Sequence, residues 1–295
     1  MLSPAVPAAV PSPPSRPLPP GACDTHAHVF GPYDRYPLAE PIEYYPPLGT
    51  ADAYLAMLDR IGCDRGVLVH ASQNGLDCSN MLDALDGGRG RLRGIAVVGT
   101  DTRHDELAAL ALRGVRGLRL TEVRLPDGSA LPHAQGFDSL EPLAPSLREL
   151  GWHVELWAPC ETIVARLPEL LAHGIPIAID HMGIFDVRRG IGDIAFQALL
   201  DTVAREPAVW VKVPPQRVSR RFPDYGDVRP FFEALASARP DRLLWGSDYP
   251  HVQAAQETPD VGHVLDLLAE WCSDEALLRR ILVENPQALY GFDPI

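Results

Sequence analysis

From Gly21 onward, short apolar runs rich in valine and isoleucine alternate with longer stretches of helical periodicity. A short apolar run bounded by polar turns reads as a buried parallel strand, and apolar residues spaced three and four apart mark one face of a helix, so the alternation predicts βα units. The strand candidates are 22–26, 66–71, 94–98, 116–120, 153–157, 176–180, 209–213 and 243–247. Helical patterns cover 50–62, 78–87, 103–113, 138–150, 161–173, 193–205 and 228–238, with a closing pair at 260–272 and 274–283. In the first of these, Thr50 is placed to cap a turn whose Tyr54, Leu55, Leu58 and Ile61 share a face. Strands and helices alternating in this number over about 270 residues predict a single-domain (β/α)8 TIM barrel. An open doubly wound sheet is the alternative, and it lacks the G-x-G-x-x-G phosphate cradle expected after a strand.

The first twenty residues break the pattern. Prolines at 4, 7, 11, 13, 14, 17, 19 and 20 block helix and sheet hydrogen bonding and favour extended polyproline-like chain. The division expected is therefore a proline-rich leader over 1–20 and a barrel over 21–295. The leader reads as a disordered or loosely packed tail or a surface wrap, with docking of a partner as the alternative use.

Composition narrows the functions. The chain of 295 residues carries 26 basic and 39 acidic side chains, a formal charge of −13, which argues against nucleic acid as a partner. An anionic substrate would need local arginines. Lys212 is the only lysine, so a Schiff-base mechanism or a metal pair bridged by a carboxylated lysine could use no other residue. The five cysteines are scattered without a C-x-x-C pair, which predicts reduced, mostly buried thiols and no thiolate zinc site. No apolar run reaches the length of a membrane span, and the N-terminus lacks the form of a signal peptide, so no membrane association and a cytoplasmic location are expected.

Three strand ends carry polar clusters. Asp24-Thr25-His26-Ala27-His28 closes the first strand, where residues two apart point the same way and both histidines would aim into the barrel mouth. Asp180-His181-Met182-Gly183 follows strand six, and Gly246-Ser247-Asp248-Tyr249-Pro250-His251 follows strand eight. Such residues at the carboxyl ends of different barrel strands converge on one pocket, while burying them in a core would be costly. His26, His28, His181 and Asp248 are the candidate reacting set.

These clusters, with the late Val283-Glu284-Asn285-Pro286, resemble the amidohydrolase superfamily in its amidohydrolase 2 branch. Within the branch the chain is similar to the 2-pyrone-4,6-dicarboxylate lactonases and their relatives, which include 4-sulfomuconolactonases and galactarolactone isomerases. The resemblance rests on Asp24 to Pro32, Gly117-Leu118-Arg119, Gly151-Trp152-His153-Val154 and Arg217 as well, and spans Gly21 to Tyr290. It implies a hydrolase of a carboxylated lactone, of the pyrone-dicarboxylate or muconolactone kind and at home in aromatic catabolism. The residue matching Asp248 would act as general base on water, and those matching His26, His28 and His181 would polarise the carbonyl. Arg119 and Arg217 fall at carboxylate-binding positions, where the guanidinium fork suits a carboxylate, and Ser72 matches a polar substrate contact.

Departures from the family fall around the substrate. Leu125 stands where a further arginine is expected, with Arg124 one residue early; Trp157 replaces a tyrosine; and Ile184-Phe185 makes an apolar lining. Glu122, Glu155 and Arg124 are therefore assigned to an altered pocket, and Arg124, Trp157 and His251 join Arg119, Arg217 and Ser72 as expected substrate-binding residues. The resemblance favours a site without a cofactor. The alternative is one divalent zinc or manganese ion on His26, His28, His181 and Asp248, as in decarboxylases of the branch. A metal-dependent decarboxylase or amide hydrolase, a lactone isomerase, and a catalytically silent barrel docking through its leader are the competing functions. The expected partner is a small anionic lactone or carboxylate; a homodimer would be in keeping with such barrels, although no interface can be read from the sequence.

Overall fold

The computed structural model describes residues 7–42, 45–252 and 257–294. Its eight strands form one parallel sheet in sequential order: β1 Cys23–Ala27, β2 Arg65–Val69, β3 Leu92–Ala96, β4 Val115–Thr121, β5 His153–Trp157, β6 Ile177–Ile179, β7 Val209–Lys212 and β8 Leu243–Leu244. Helices α1 Ala51–Ile61, α2 Ser79–Gly87, α3 His104–Leu112, α4 Leu140–Leu150, α5 Cys160–Leu171, α6 Ile194–Arg205 and α7 Arg229–Ala238 alternate with the strands. The (β/α)8 barrel predicted from the apolar pattern is the fold found. Among the described residues no helix is long and apolar enough to cross a membrane.

β8 is the strand that departs most from its expected span of 243–247. Only Leu243 and Leu244 pair regularly, with Val211 and Lys212 of β7. Beyond them the chain closes the barrel irregularly against β1. Thr25 N–H donates to the Trp245 carbonyl at 2.9 Å, Asp248 N–H to His26 at 2.7 Å and His28 N–H to Tyr249 at 2.7 Å. Gly246 makes this approach possible, since a Cβ there would lie 2.5 Å from the His26 Cβ.

Each helix packs its apolar stripe on the sheet. α1 starts at Thr50, whose Oγ1 accepts from Ala53 N–H, and ends at Gly62 in the left-handed region. Its buried face is Tyr54, Met57, Leu58 and Ile61, with Met57 in place of the expected Leu55. A smaller apolar cluster fills the barrel itself, from Val67, Val69, Ile95, Ala178, Trp210 and Leu244, closed by Tyr290 and Phe292. Those two come from the C-terminal region, where α8 Val261–Trp271 and α9 Glu275–Arg279 lead through a π-helical turn, Arg280–Glu284, into α10 Asn285–Tyr290. The sequence reading stopped at 283 and missed α10, which Pro286 opens in the first turn, where a missing N–H does no harm. Asn285 then ties it to β8 by donating to the Leu243 carbonyl at 2.7 Å.

Residues 1–6 of the leader lie outside the described residues. The rest runs against the barrel: Ser12 N–H donates to Asp260 at the start of α8 (2.9 Å), Ser15 N–H and Oγ to Asp266 (both 2.8 Å), and Arg60 of α1 to the Pro11 carbonyl. A Cβ on Gly262 would collide with the Ser12 carbonyl. The five cysteines are free, with Cys272 half-buried and the others buried.

Candidate active site

The site begins with a bulge. In a regular strand Asp24, His26 and His28 would share a face, but the pairing of β1 with β2 shifts between Asp24 and Ala27. Asp24 consequently turns outward, accepting from Tyr54 Oη at 3.2 Å, Ser247 N–H at 2.7 Å and Ser247 Oγ at 2.6 Å. Burial pushes its carboxyl up to about 6, against the pull of Ser247. It is a brace that holds the end of β8 to β1. His26 and His28 turn inward together, as their spacing predicted.

Both rings face Asp248. Its Oδ1 lies 3.8 Å from His26 Nε2 and 3.5 Å from His28 Nε2, and all three side chains are buried. The Val69 carbonyl, 2.7 Å from His28 Nδ1, can only accept, so that nitrogen carries a proton. His181 stands beside them, its ring centroid 4.8 Å from that of His26. Burial lowers His26 to about 3, and takes His181 well below the ordinary histidine range. Both rings are neutral at physiological pH.

The residues that present these groups are backbone-strained. Asp248 (φ 59°), His181 (φ 50°), Met182 (φ 56°), Ile184 (φ 43°) and His251 (φ 64°) all occupy the left-handed region. Each such residue costs about 1–3 kcal/mol, a strain that clusters at functional sites.

Burial alone would raise the Asp248 carboxyl, yet the Arg217 guanidinium holds it well below the carboxylate range. Arg217 Nε donates to Asp248 Oδ2 at 2.5 Å, and its Nη1 to the Val252 carbonyl at 3.1 Å. Arg119, from β4, stacks its guanidinium 4.7 Å from the centre of the Trp157 ring and lies 3.3 Å from Asp180. Ser72, Arg119, Trp157, His181, Arg217 and Asp248 line one narrow cleft. Asp248 and Arg217 also border a second cleft with Arg220, Phe222, Tyr225 and His251. The carboxylate therefore borders both clefts while remaining buried, with Arg217 on its Oδ2.

Three residues assigned to an altered pocket lie elsewhere. Arg124 pairs with Ala130 across the Pro126-Asp127-Gly128 turn and donates to the Gly128 carbonyl at 3.3 Å, because that turn folds its loop back on itself. Glu122 accepts from Phe137 N–H at 3.1 Å. Glu155 points into the barrel beneath the site, where it meets Lys212.

That lower layer is the part the sequence reading missed. Lys212 Nζ lies 2.6 Å from Glu155 Oε2, 2.9 Å from His26 Nδ1 and 3.1 Å from Asp180 Oδ1, and none of the four side chains is exposed. Tyr290 Oη, from α10, donates to Glu155 Oε1 at 2.9 Å. Burial alone would raise Asp180, but Lys212, and then Arg119, keep it ionised well below the usual range. The available signal was a single lysine inside an apolar strand. Among the described residues, two triads bring ligand atoms close enough for one cation: His26 with His28 and Asp248, and His26 with Asp180 and His181.

Against this geometry, comparison with known proteins adds the following. The sequence model of an amidohydrolase family, Amidohydro_2, matches residues 23–292. A 4-sulfomuconolactone hydrolase of Rhizobium radiobacter is 37% identical over 277 residues, 93% of this chain and 91% of that protein. A 2-pyrone-4,6-dicarboxylate hydrolase of Comamonas testosteroni is 36% identical over 295 aligned residues, 95% of this chain and 93% of that protein. A solved structure from Acinetobacter baumannii, described as a probable 2-pyrone-4,6-dicarboxylic acid hydrolase with citric acid bound, superposes with a TM-score of 0.79 at 30% identity, over 92% of this chain and all of the other.

Proposed function

The chain belongs to the amidohydrolase family, and from that premise we propose that it hydrolyses a carboxylated lactone with Asp248 as general base. The observation that carries the reading is the Asp248 carboxylate, set within 4 Å of two imidazole nitrogens and flanked by guanidinium groups in one cleft. A carboxylate there can take a proton from water, and the N–H of a neutral ring such as His26, whose Nε2 faces the carboxylate, can stabilise the charge that builds on the carbonyl oxygen; the His28 proton is already engaged by the Val69 carbonyl. Water gives its proton to Asp248 while its oxygen adds to the lactone carbonyl. The tetrahedral intermediate collapses by breaking the ring C–O bond, and Asp248 returns the proton to the departing oxygen. Arg119 and Arg217 suit the carboxylates or a sulfonate of such a ring, a local cationic wall in a chain of net charge −13.

The site works without a metal in this reading, because the donor set suits a divalent ion poorly. Asp248 already carries the Arg217 guanidinium, and an ammonium lies against Nδ1 of His26, the histidine that both possible triads share. A further cation would meet two fixed positive charges in a buried volume. The test is hydrolysis of a panel of carboxylated lactones, 2-pyrone-4,6-dicarboxylate and 4-sulfomuconolactone included, by chelator-treated protein. Turnover that survives chelation supports both parts of the reading. Turnover only after zinc or manganese is restored overturns the metal-free part, and none under either condition overturns the substrate class.

A further inference from the structure

Lys212 is the only lysine in the chain and is completely buried. A protonated amine has three N–H donors and no acceptor. Here it hydrogen-bonds Glu155 Oε2 and His26 Nδ1 at 2.6 and 2.9 Å, and Asp180 Oδ1 lies 3.1 Å away as an ion pair. The contact with His26 requires a lone pair on Nδ1. A neutral imidazole with a bare Nδ1 carries its proton on Nε2, and that nitrogen is buried, has no hydrogen-bond partner and faces Asp248.

We propose that Lys212 is a positioning residue for the hydrolysis, fixing His26 in the Nε2–H tautomer so that the ring donates to the reacting carbonyl oxygen. The proposal rests on the lactone-hydrolase reading for the identity of that oxygen, and on the contacts of Lys212 alone for the tautomer.

The alternative tautomer is close at hand. Asp180 Oδ1 lies 3.2 Å from His26 Nδ1. With Lys212 absent, that carboxylate would draw the imidazole proton to Nδ1 and leave Nε2 bare. A bare nitrogen cannot stabilise an oxyanion; it repels one. Lys212 thus decides which of two chemistries His26 offers. The ammonium is itself held by Glu155, whose other oxygen accepts from Tyr290. The ring is neutral because an Nδ1 that accepts from an ammonium holds no proton of its own.

The full-length protein with 15N-labelled histidine tests this directly, His26 being assigned by the signal lost in His26→Gln. Lys212→Met removes the donor but leaves an excess of buried negative charge. Lys212→Met/Glu155→Gln removes one charge of each sign and keeps an acceptor for Tyr290, so it separates the loss of the donor from a loss of charge balance. The expected spectrum of the wild type has a protonated Nε2 and a bare Nδ1, and both variants move the proton to Nδ1. The double variant loses about a hundredfold in kcat, the scale of one oxyanion donor, with KM little changed. Wild-type His26 protonated at Nδ1 overturns the proposal, as does a folded double variant with wild-type kcat. If the wild type turns over no carboxylated lactone, the substrate reading fails, and the spectra still decide the tautomer.

Discussion

Arg217 donates through Nε to Asp248 Oδ2 at 2.5 Å, so the proposed base is held in an ion pair by a residue proposed to bind substrate. The pair has two consequences. It keeps the carboxylate ionised, and it makes that carboxylate a weaker base than a free one, since a proton must compete with the guanidinium. A substrate carboxylate that draws Arg217 toward itself relieves the competition. Anion binding and activation of the base are in this way coupled through one side chain that is a quarter exposed.

Replacing Arg217 with methionine should therefore act on pH dependence as well as on affinity. With the guanidinium gone, burial is less opposed and the Asp248 pKa rises. The acid limb of kcat/KM, which reports the free enzyme, should move to higher pH, and KM for a carboxylated lactone should rise. An acid limb that stays in place would show that Arg217 does not control the base.

Asp248→Asn removes the proton acceptor and the charge paired with Arg217 while keeping the shape of the side chain. Asparagine is nearly isosteric and tolerates the left-handed backbone found at this position (φ 59°), where alanine would be strained. Turnover should fall by about a hundredfold or more, the usual weight of a general base, with a thermal midpoint close to wild type. Wild-type rates in the folded variant would remove Asp248 from its role.

What could be read from the sequence follows the range of the interactions involved. The strands were legible because each is a short apolar run, and His26, His28, His181 and Asp248 because each sits where a strand ends. The bulge in β1 was not legible: alternation places Asp24 beside His26, and the register shift that turns it toward Tyr54 depends on pairing with β2 and on the return of β8. Arg124 was misplaced for the opposite reason, a local turn stronger than any pull from the pocket. Lys212 looked like one polar residue in an apolar strand, because Glu155, Asp180 and His26 reach it from three other parts of the chain. A buried charge network is long-range by construction, and single-strand patterns do not contain it.

The leader gives a cleaner separation of stability from catalysis. Its described residues touch α1, α8 and Leu48, and none of them lines either cleft around Asp248. Deletion of residues 1–20 should lower the thermal midpoint, since it exposes the apolar surface under Leu18 and strips Asp260 and Asp266 of their Ser12 and Ser15 partners. The kcat on a lactone should be unchanged. A large loss of kcat with an unchanged midpoint would assign the leader to the site instead.

Acid should destabilise the fold before it titrates the base. Burial lowers His26 to about 3, and His70 and His251 each to about 4, from an ordinary 6.5. Between those values and 6.5 the unfolded chain holds protons on these rings and the folded chain does not, so stability is lost as pH falls. Asp24 works the other way: with its pKa raised to about 6, the folded state holds a proton that the unfolded state has released, and this term favours folding as pH falls. His181, which burial also takes well below the ordinary range, makes four histidines against one aspartate, a net loss in which each proton taken up by the unfolded chain alone contributes about 1.4 kcal/mol per pH unit. The midpoint for unfolding should accordingly fall from about pH 7 to about pH 5, and His70→Gln, whose amide can still donate to the Gly75 carbonyl that His70 Nε2 meets at 2.9 Å, should flatten that fall. A midpoint that rises over the same interval would mean that these rings are charged in the folded protein, and the neutral imidazole donors of the proposed mechanism would be lost with it.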